Sequence, residues 1–163
     1  MAKNDRIVLR EVTPEVIAAA KALMRGADHA ALATLEPDTG QPLASRVGLA
    51  TLDDGTPLII ASHLAAHSGA LDADPRCSLL IGTVGKGEPL THPRIMLVCR
   101  AEVIAAGSEA AAAARLRYLA THPKAAIYVD LPDFRFFRLA VERASYNAGF
   151  GRAYALEGEM LVG

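Results

Sequence analysis

Between Ala61 and Ser68 the chain reads Ala-Ser-His-Leu-Ala-Ala-His-Ser, which gathers imidazoles and hydroxyls in one short stretch. Leu58-Ile59-Ile60-Ala61 before it is strand-like, and the residues after it favour a helix. The free backbone N–H groups of a helix start therefore fall among these donors. Such a turn suits an anion, above all a phosphate, with Ser62, His63, His67 and Ser68 as side-chain donors. The same residues also describe a plain loop with solvated histidines and a capping serine. His63 and His67 have the spacing of a metal pair on one helical face, but the glutamate of HExxH is missing and no third ligand is evident.

A second cluster is Ser45-Arg46. In a strand over 43–50, Arg46 shares a face with Ala44, Gly48 and Ala50, which leaves room for a flat group to lie against the sheet. An arginine on an exposed edge strand reads equally well. Arg94 and Arg100 share one face of another strand and could meet a phosphate or a carboxylate such as Glu102. No nucleophile motif GxSxG and no phosphate loop GxGxxG or GxxxxGK[ST] occurs, and Asp53-Asp54 reads as turn chemistry. No side chain stands out as an acid, base or nucleophile.

The elements that must position these groups follow from the pattern. Thr13-Pro14-Glu15 starts a helix, with Val16, Ile17, Ala20, Leu23 and Met24 at helical spacing and Gly26 as its expected stop. Strands are expected at 32–35, 43–50, 58–61, 77–81, 94–104 and 134–144. Turns fall at Glu36–Gly40 and Asp53–Gly55, and the glycine- and proline-bearing stretch 82–93 is a loop. Short helices are expected over 65–73 and, capped by Ser108, through Ala120. Six or so strands with short turns and peripheral helices predict a mainly β, α+β fold, an antiparallel barrel.

Composition narrows the function classes. The 163 residues suit one domain over 1–163, with a helical segment at 1–27 and a core at 28–155. Lys and Arg number 17 against 18 acidic residues, so there is no excess of basic charge for a general nucleic-acid grip. Cys77 and Cys99 lie outside any CxxC spacing, which disfavours a disulfide framework or zinc site. No apolar run approaches the roughly 18 residues of a membrane span, and Met1–Arg6 lacks a signal-peptide core, so no membrane partner and a cytoplasmic location are expected.

Residues Gly40-Gln41-Pro42-Leu43-Ala44-Ser45, Asp54-Gly55, Ile60-Ala61-Ser62, His67, Leu71 and Asp74-Pro75-Arg76 resemble the FMN-binding core of pyridoxamine phosphate oxidases. The likeness runs on through Ser78-Leu79-Leu80, Arg94–Val98 and Arg100-Ala101-Glu102, and covers about residues 28–155. Ser62-His63-Leu64-Ala65-Ala66-His67 and Gly149-Phe150-Gly151-Arg152-Ala153 are similar to patterns of the haem-utilisation branch of that superfamily.

The resemblance implies a split barrel that is a homodimer with FMN at the subunit interface. Ser45 and Arg46 fall on the strand that lines the flavin, Ala61 and Ser62 on the next flavin-facing strand end. His67 takes the place of a phosphate-binding lysine, and Arg94 that of a polar residue at the cofactor. His67, beside a doubly charged phosphate, is expected to have its pKa raised. Ser45 and Ala66 replace arginines of the oxidases, and Gly69-Ala70 replaces a basic residue and an asparagine of the haem branch. Arg138–Arg143 lacks the histidine of the oxidases' Arg-Leu-His-x-Arg motif, so pyridoxamine phosphate oxidation is not expected. The chain has no tryptophan to border a flavin, and no histidine follows His122. An FMN-dependent oxidoreductase acting on an unidentified small molecule, with an unidentified electron donor, is the favoured reading. A non-enzymatic flavin or haem storage protein and a haem-degrading relative are the alternatives.

Overall fold

The computed structural model describes residues 9–163, so the N-terminal Met1–Arg6 stretch lies outside the described residues. Helix α1 (Pro14–Gly26) begins where Thr13 accepts the Val16 N–H at 3.4 Å, with proline in the first turn and Glu15 at the positive end. Ala20 and Met24 are buried, and Val16, Ile17 and Leu23 pack against the same core. Gly26 does not end the helix by a left-handed turn, because Ala27 leaves it in an extended conformation.

Eight strands form one antiparallel sheet: β1 (His29–Leu35), β2 (Pro42–Gly48), β3 (Ala50–Thr51), β4 (Pro57–Ser62), β5 (Arg76–Ile81), β6 (Arg94–Val103), β7 (Phe134–Asn147) and β8 (Ala153–Glu157). The order is β2-β1-β5-β6-β7-β4-β3, with β8 also on β7. The fold is thus a curled antiparallel split barrel of α+β type. Strand β7 is its spine: residues 134–138 pair with β4 and residues 143–147 with β8. A bulge at Glu142, between the Cys99–Val141 and Val98–Arg143 pairs, lets so long a strand bend around the barrel. Helices α2 (Ala66–Ala73) and α3 (Glu109–Thr121) flank the sheet, Ser108 capping α3 through the Ala111 N–H at 3.1 Å.

The expected strand over 43–50 is broken. Leu49 is fully buried, its N–H is donated to the Asp28 carbonyl at 2.9 Å, and only Ala50 and Thr51 go on to pair with β4. The chain crosses there from one sheet edge to the other, so Ala50 does not share the open face of Ala44 and Arg46. Strand β7 runs to Asn147, and the five-residue β8, where Tyr154 and Leu156 alternate inward, is an addition to the six expected strands.

Inside the curl, Leu32, Leu79, Leu97, Ile81, Ile95, Phe137 and Leu139 form the main core. A second cluster, with Leu58, Ile60, Ala114, Tyr118 and Phe136, holds α3 against β4 and β7. The outside of the sheet carries a row in register from edge to interior: Arg46, Ala31, Leu80, Met96, Ser145 and Ala155. Leu80 is 49% exposed and Met96 37%, a flat apolar face of small and mid-sized side chains.

Candidate functional site

Strands β2 and β4 come alongside one another without hydrogen bonding, and this split is the opening of the barrel. A groove of about 270 Å³ follows it, with Arg46, Gly48, Ala61, Ser62, His67 and Tyr128 among its walls. On the outer face a hollow of about 370 Å³ is lined by His29, Ala31, Ala44, Ser45, Arg46 and Leu80. Arg46 belongs to both, so the two spaces meet at its side chain.

Local sequence explains the convergence. Strand β4 ends at Ser62, the turn 63–65 follows, and α2 begins without a side-chain cap because Ala65 has no oxygen to offer. The positive end of α2 is thus left open at the groove, where Ala65 and His67 are lining residues. His67 Nδ1 lies 3.3 Å from Ser45 Oγ, joining α2 to β2 across the split. Burial pulls the His67 ring below its ordinary pKa, so it is neutral near pH 7 in the free chain. The pKa rise expected beside a phosphate must therefore come from the ligand's own charge. Arg46 is exposed, and among the described residues its guanidinium forms no ion pair or hydrogen bond.

The expected site residues divide. Ser45, Arg46, Ala61, Ser62 and His67 are brought to the split. His63 is exposed on the turn before α2, so it shares no helical face with His67, and among the described residues no metal-holding cluster exists. Ser68 is fully buried and its hydroxyl accepts from Arg135 at 3.0 Å, which makes it part of the scaffold beneath α2. Arg94 adjoins Gly82 at the rim of the outer hollow, but its guanidinium donates to the Leu90 and His92 carbonyls at 3.1 and 3.5 Å. Glu102 pairs with Arg138 at 3.1 Å rather than with Arg100.

Four residues at the groove were not legible in advance. Tyr118, Tyr128 and Phe134 form an aromatic wall, Tyr128 and Phe134 having ring centroids 5.0 Å apart. The Tyr118 hydroxyl rests where a Cβ of Gly48 would stand, which is why glycine is required there. Asp133 accepts from Ser62 Oγ at 2.9 Å and, through its carbonyl, from the His63 N–H at 2.8 Å. These residues come from α3, the loop after it and the start of β7, far from the motif in sequence; only folding assembles them.

The donors present fit a phosphate attached to a flat ring. An unpaired guanidinium, an uncapped helix start and an imidazole meet at one end, and a small-residue face continues from them. An antiparallel split barrel with a donor-lined opening between two sheet edges defines the class of protein. Residues 16–148 match the pyridoxamine 5'-phosphate oxidase family, and the chain belongs to that family. It is 35% identical over 120 residues to the chloroplastic non-canonical heme oxygenase HOZ of Arabidopsis thaliana, a match covering 74% of this chain and 36% of that protein. A heme-binding protein from Mycobacterium smegmatis is 32% identical with a TM-score of 0.83, over 93% of this chain and 61% of that one. ChuZ of Campylobacter jejuni shares the fold at a TM-score of 0.81 and 16% identity, over 94% and 63% of the two chains. The chain thus spans about a third of the length of the curated relative it matches.

Proposed function

We propose that the protein binds FMN at the split groove as a homodimer and serves as a flavin-dependent oxidoreductase for a small molecule. The observation that carries this reading is the Arg46 guanidinium, unpaired among the described residues, beside the His67–Ser45 contact at the uncapped start of α2. Arg46 and His67 would hold the phosphate, Ser45 would orient the imidazole, and Ala44 and Ala31 would leave the flat ring its space. FMN, when bound, supplies electron transfer to or from a substrate. The protein's contribution is binding, orientation and exclusion of water, since no acid–base pair lines the groove.

The homodimer rests on the exposed row from Ala31 to Ala155, an apolar face that a second copy would cover under twofold symmetry. Among the described residues no helix is long and apolar enough to cross a membrane. Arg138–Arg143 offers no histidine for pyridoxamine phosphate, so a different substrate is proposed.

Haem binding is the second reading, favoured by the relatives named for heme oxygenase and heme binding. A visible absorption spectrum of the purified protein separates the two. Bound flavin that NADPH or dithionite bleaches and oxygen restores supports the first reading. A haem spectrum without flavin supports the second and overturns the first.

A further inference from the structure

We infer that Asp133 sets the charge selectivity of the groove, opposing doubly charged phosphates and confining any phosphate to the Arg46–His67 side. The inference rests on the phosphate-binding reading of the groove and deepens it. Two hydrogen bonds tie the β4–α2 turn to this aspartate, and a third closes the turn on Ser62. Ser62 Oγ donates to Asp133 Oδ2 at 2.9 Å and accepts the Leu64 N–H at 3.1 Å, while the His63 N–H goes to the Asp133 carbonyl at 2.8 Å.

The donors of this turn are therefore already committed. For the Ser62 hydroxyl to serve a phosphate it must leave a carboxylate, which is itself a charged acceptor. The carboxylate has no compensating cation: among the described residues Asp133 forms no ion pair. Arg135, two positions further on, is spent on Asp72 and Ser68. Asp133 is only partly exposed, so its charge is less screened than one in open water.

A dianion held by Arg46 and His67 would thus lie one side chain away from a fixed negative charge, because Ser62 lines the groove with one edge and contacts Asp133 with the other. At a separation of about 6 Å in a water-like dielectric, repulsion of a dianion by one charge would weaken binding by about tenfold before salt screening. An uncharged ring bearing no phosphate escapes it. Asp133 is a positioning residue for the turn and a specificity-determining one for ligand charge.

The test compares wild type, Asp133→Asn and Asp133→Glu by fluorescence titration with FMN and riboflavin, and by phosphorus NMR with inorganic phosphate. Asparagine keeps an acceptor for Ser62 and removes the charge; glutamate keeps the charge and shifts the geometry. Asp133→Asn should bind FMN and inorganic phosphate about tenfold more tightly with riboflavin unchanged, and Asp133→Glu should show no gain. The FMN difference should widen when salt falls from about 0.1 M to about 0.01 M, as screening weakens. Measurable FMN binding with equal affinity in wild type and Asp133→Asn overturns this assignment alone. A gain shared equally by riboflavin also overturns it, since that would be a packing effect. If neither flavin nor phosphate binds any of the three proteins, the flavin reading falls and the role of Asp133 with it.

Discussion

Ser45 on β2 and His67 on α2, separated by 22 positions in sequence, meet through an Oγ–Nδ1 contact of 3.3 Å that bridges the split of the barrel. The contact fixes one ring nitrogen of a half-buried, neutral imidazole and leaves the other for a ligand. It sets a pH dependence. His67 starts below the ordinary value of about 6.5, and a phosphate dianion beside it raises its pKa, so FMN binding takes up a proton. Affinity is then greatest below the free-chain pKa and falls as pH rises toward the pKa of the complex. His67→Ala should cost about 1.5–3 kcal/mol of FMN affinity. His67→Lys should retain binding and flatten the profile to about pH 10. Fluorescence titrations across the neutral range, with riboflavin as the control, read both effects; parallel profiles for wild type and His67→Lys would count against the protonation step.

The outer face gives an assembly prediction. Wild type should show about twice the 17.2 kDa chain mass in light scattering. Charges placed at Leu80 and Met96, both on the exposed row, should yield a monomer that has lost FMN affinity. A monomeric wild type that still binds FMN would separate the groove from the dimer.

Gly48 supplies a stability test. A methyl group there would overlap the Tyr118 hydroxyl, so Gly48→Ala should destabilise the fold by about 1–3 kcal/mol. Adding Tyr118→Phe removes the oxygen and should restore part of that loss. Urea unfolding of the single and double variants measures the coupling; strictly additive costs would mean the two residues do not touch.

Cys77 and Cys99 face each other across β5 and β6, and burial is the main cause of raised thiol pKa values in both, Cys77 to about 12. Since only the thiolate attacks, neither should react with a thiol-specific disulfide reagent at pH 8 while folded, and both should react in guanidinium. Rapid labelling of the native protein would contradict this burial.

Much of this arrangement was legible because local chemistry and tertiary structure agree. Thr13 and Ser108 cap the helices they were expected to cap, and Arg94 to Val103 runs as one strand. The donors gathered at 62–68 were readable in sequence, but their fate was not. Ser68 looked like a ligand and is spent on Arg135, and Ser62 is held by Asp133. Both partners arrive from β7 and the loop before it, more than 60 positions away. The break at Leu49 was invisible for a similar reason: its apolar side chain fits a strand, and only the competing bond to Asp28 shows that the chain changes edge there.

The central claim is that a phosphorylated flavin is gripped where Arg46 and His67 meet at the split. Its most direct test is a fluorescence titration of FMN and riboflavin against wild type and the Arg46→Ala/His67→Ala double variant. The expected result is FMN affinity lowered by at least about a hundredfold, since two bonds to a charged group are lost, with riboflavin affinity unchanged. FMN affinity equal in the two proteins would contradict it.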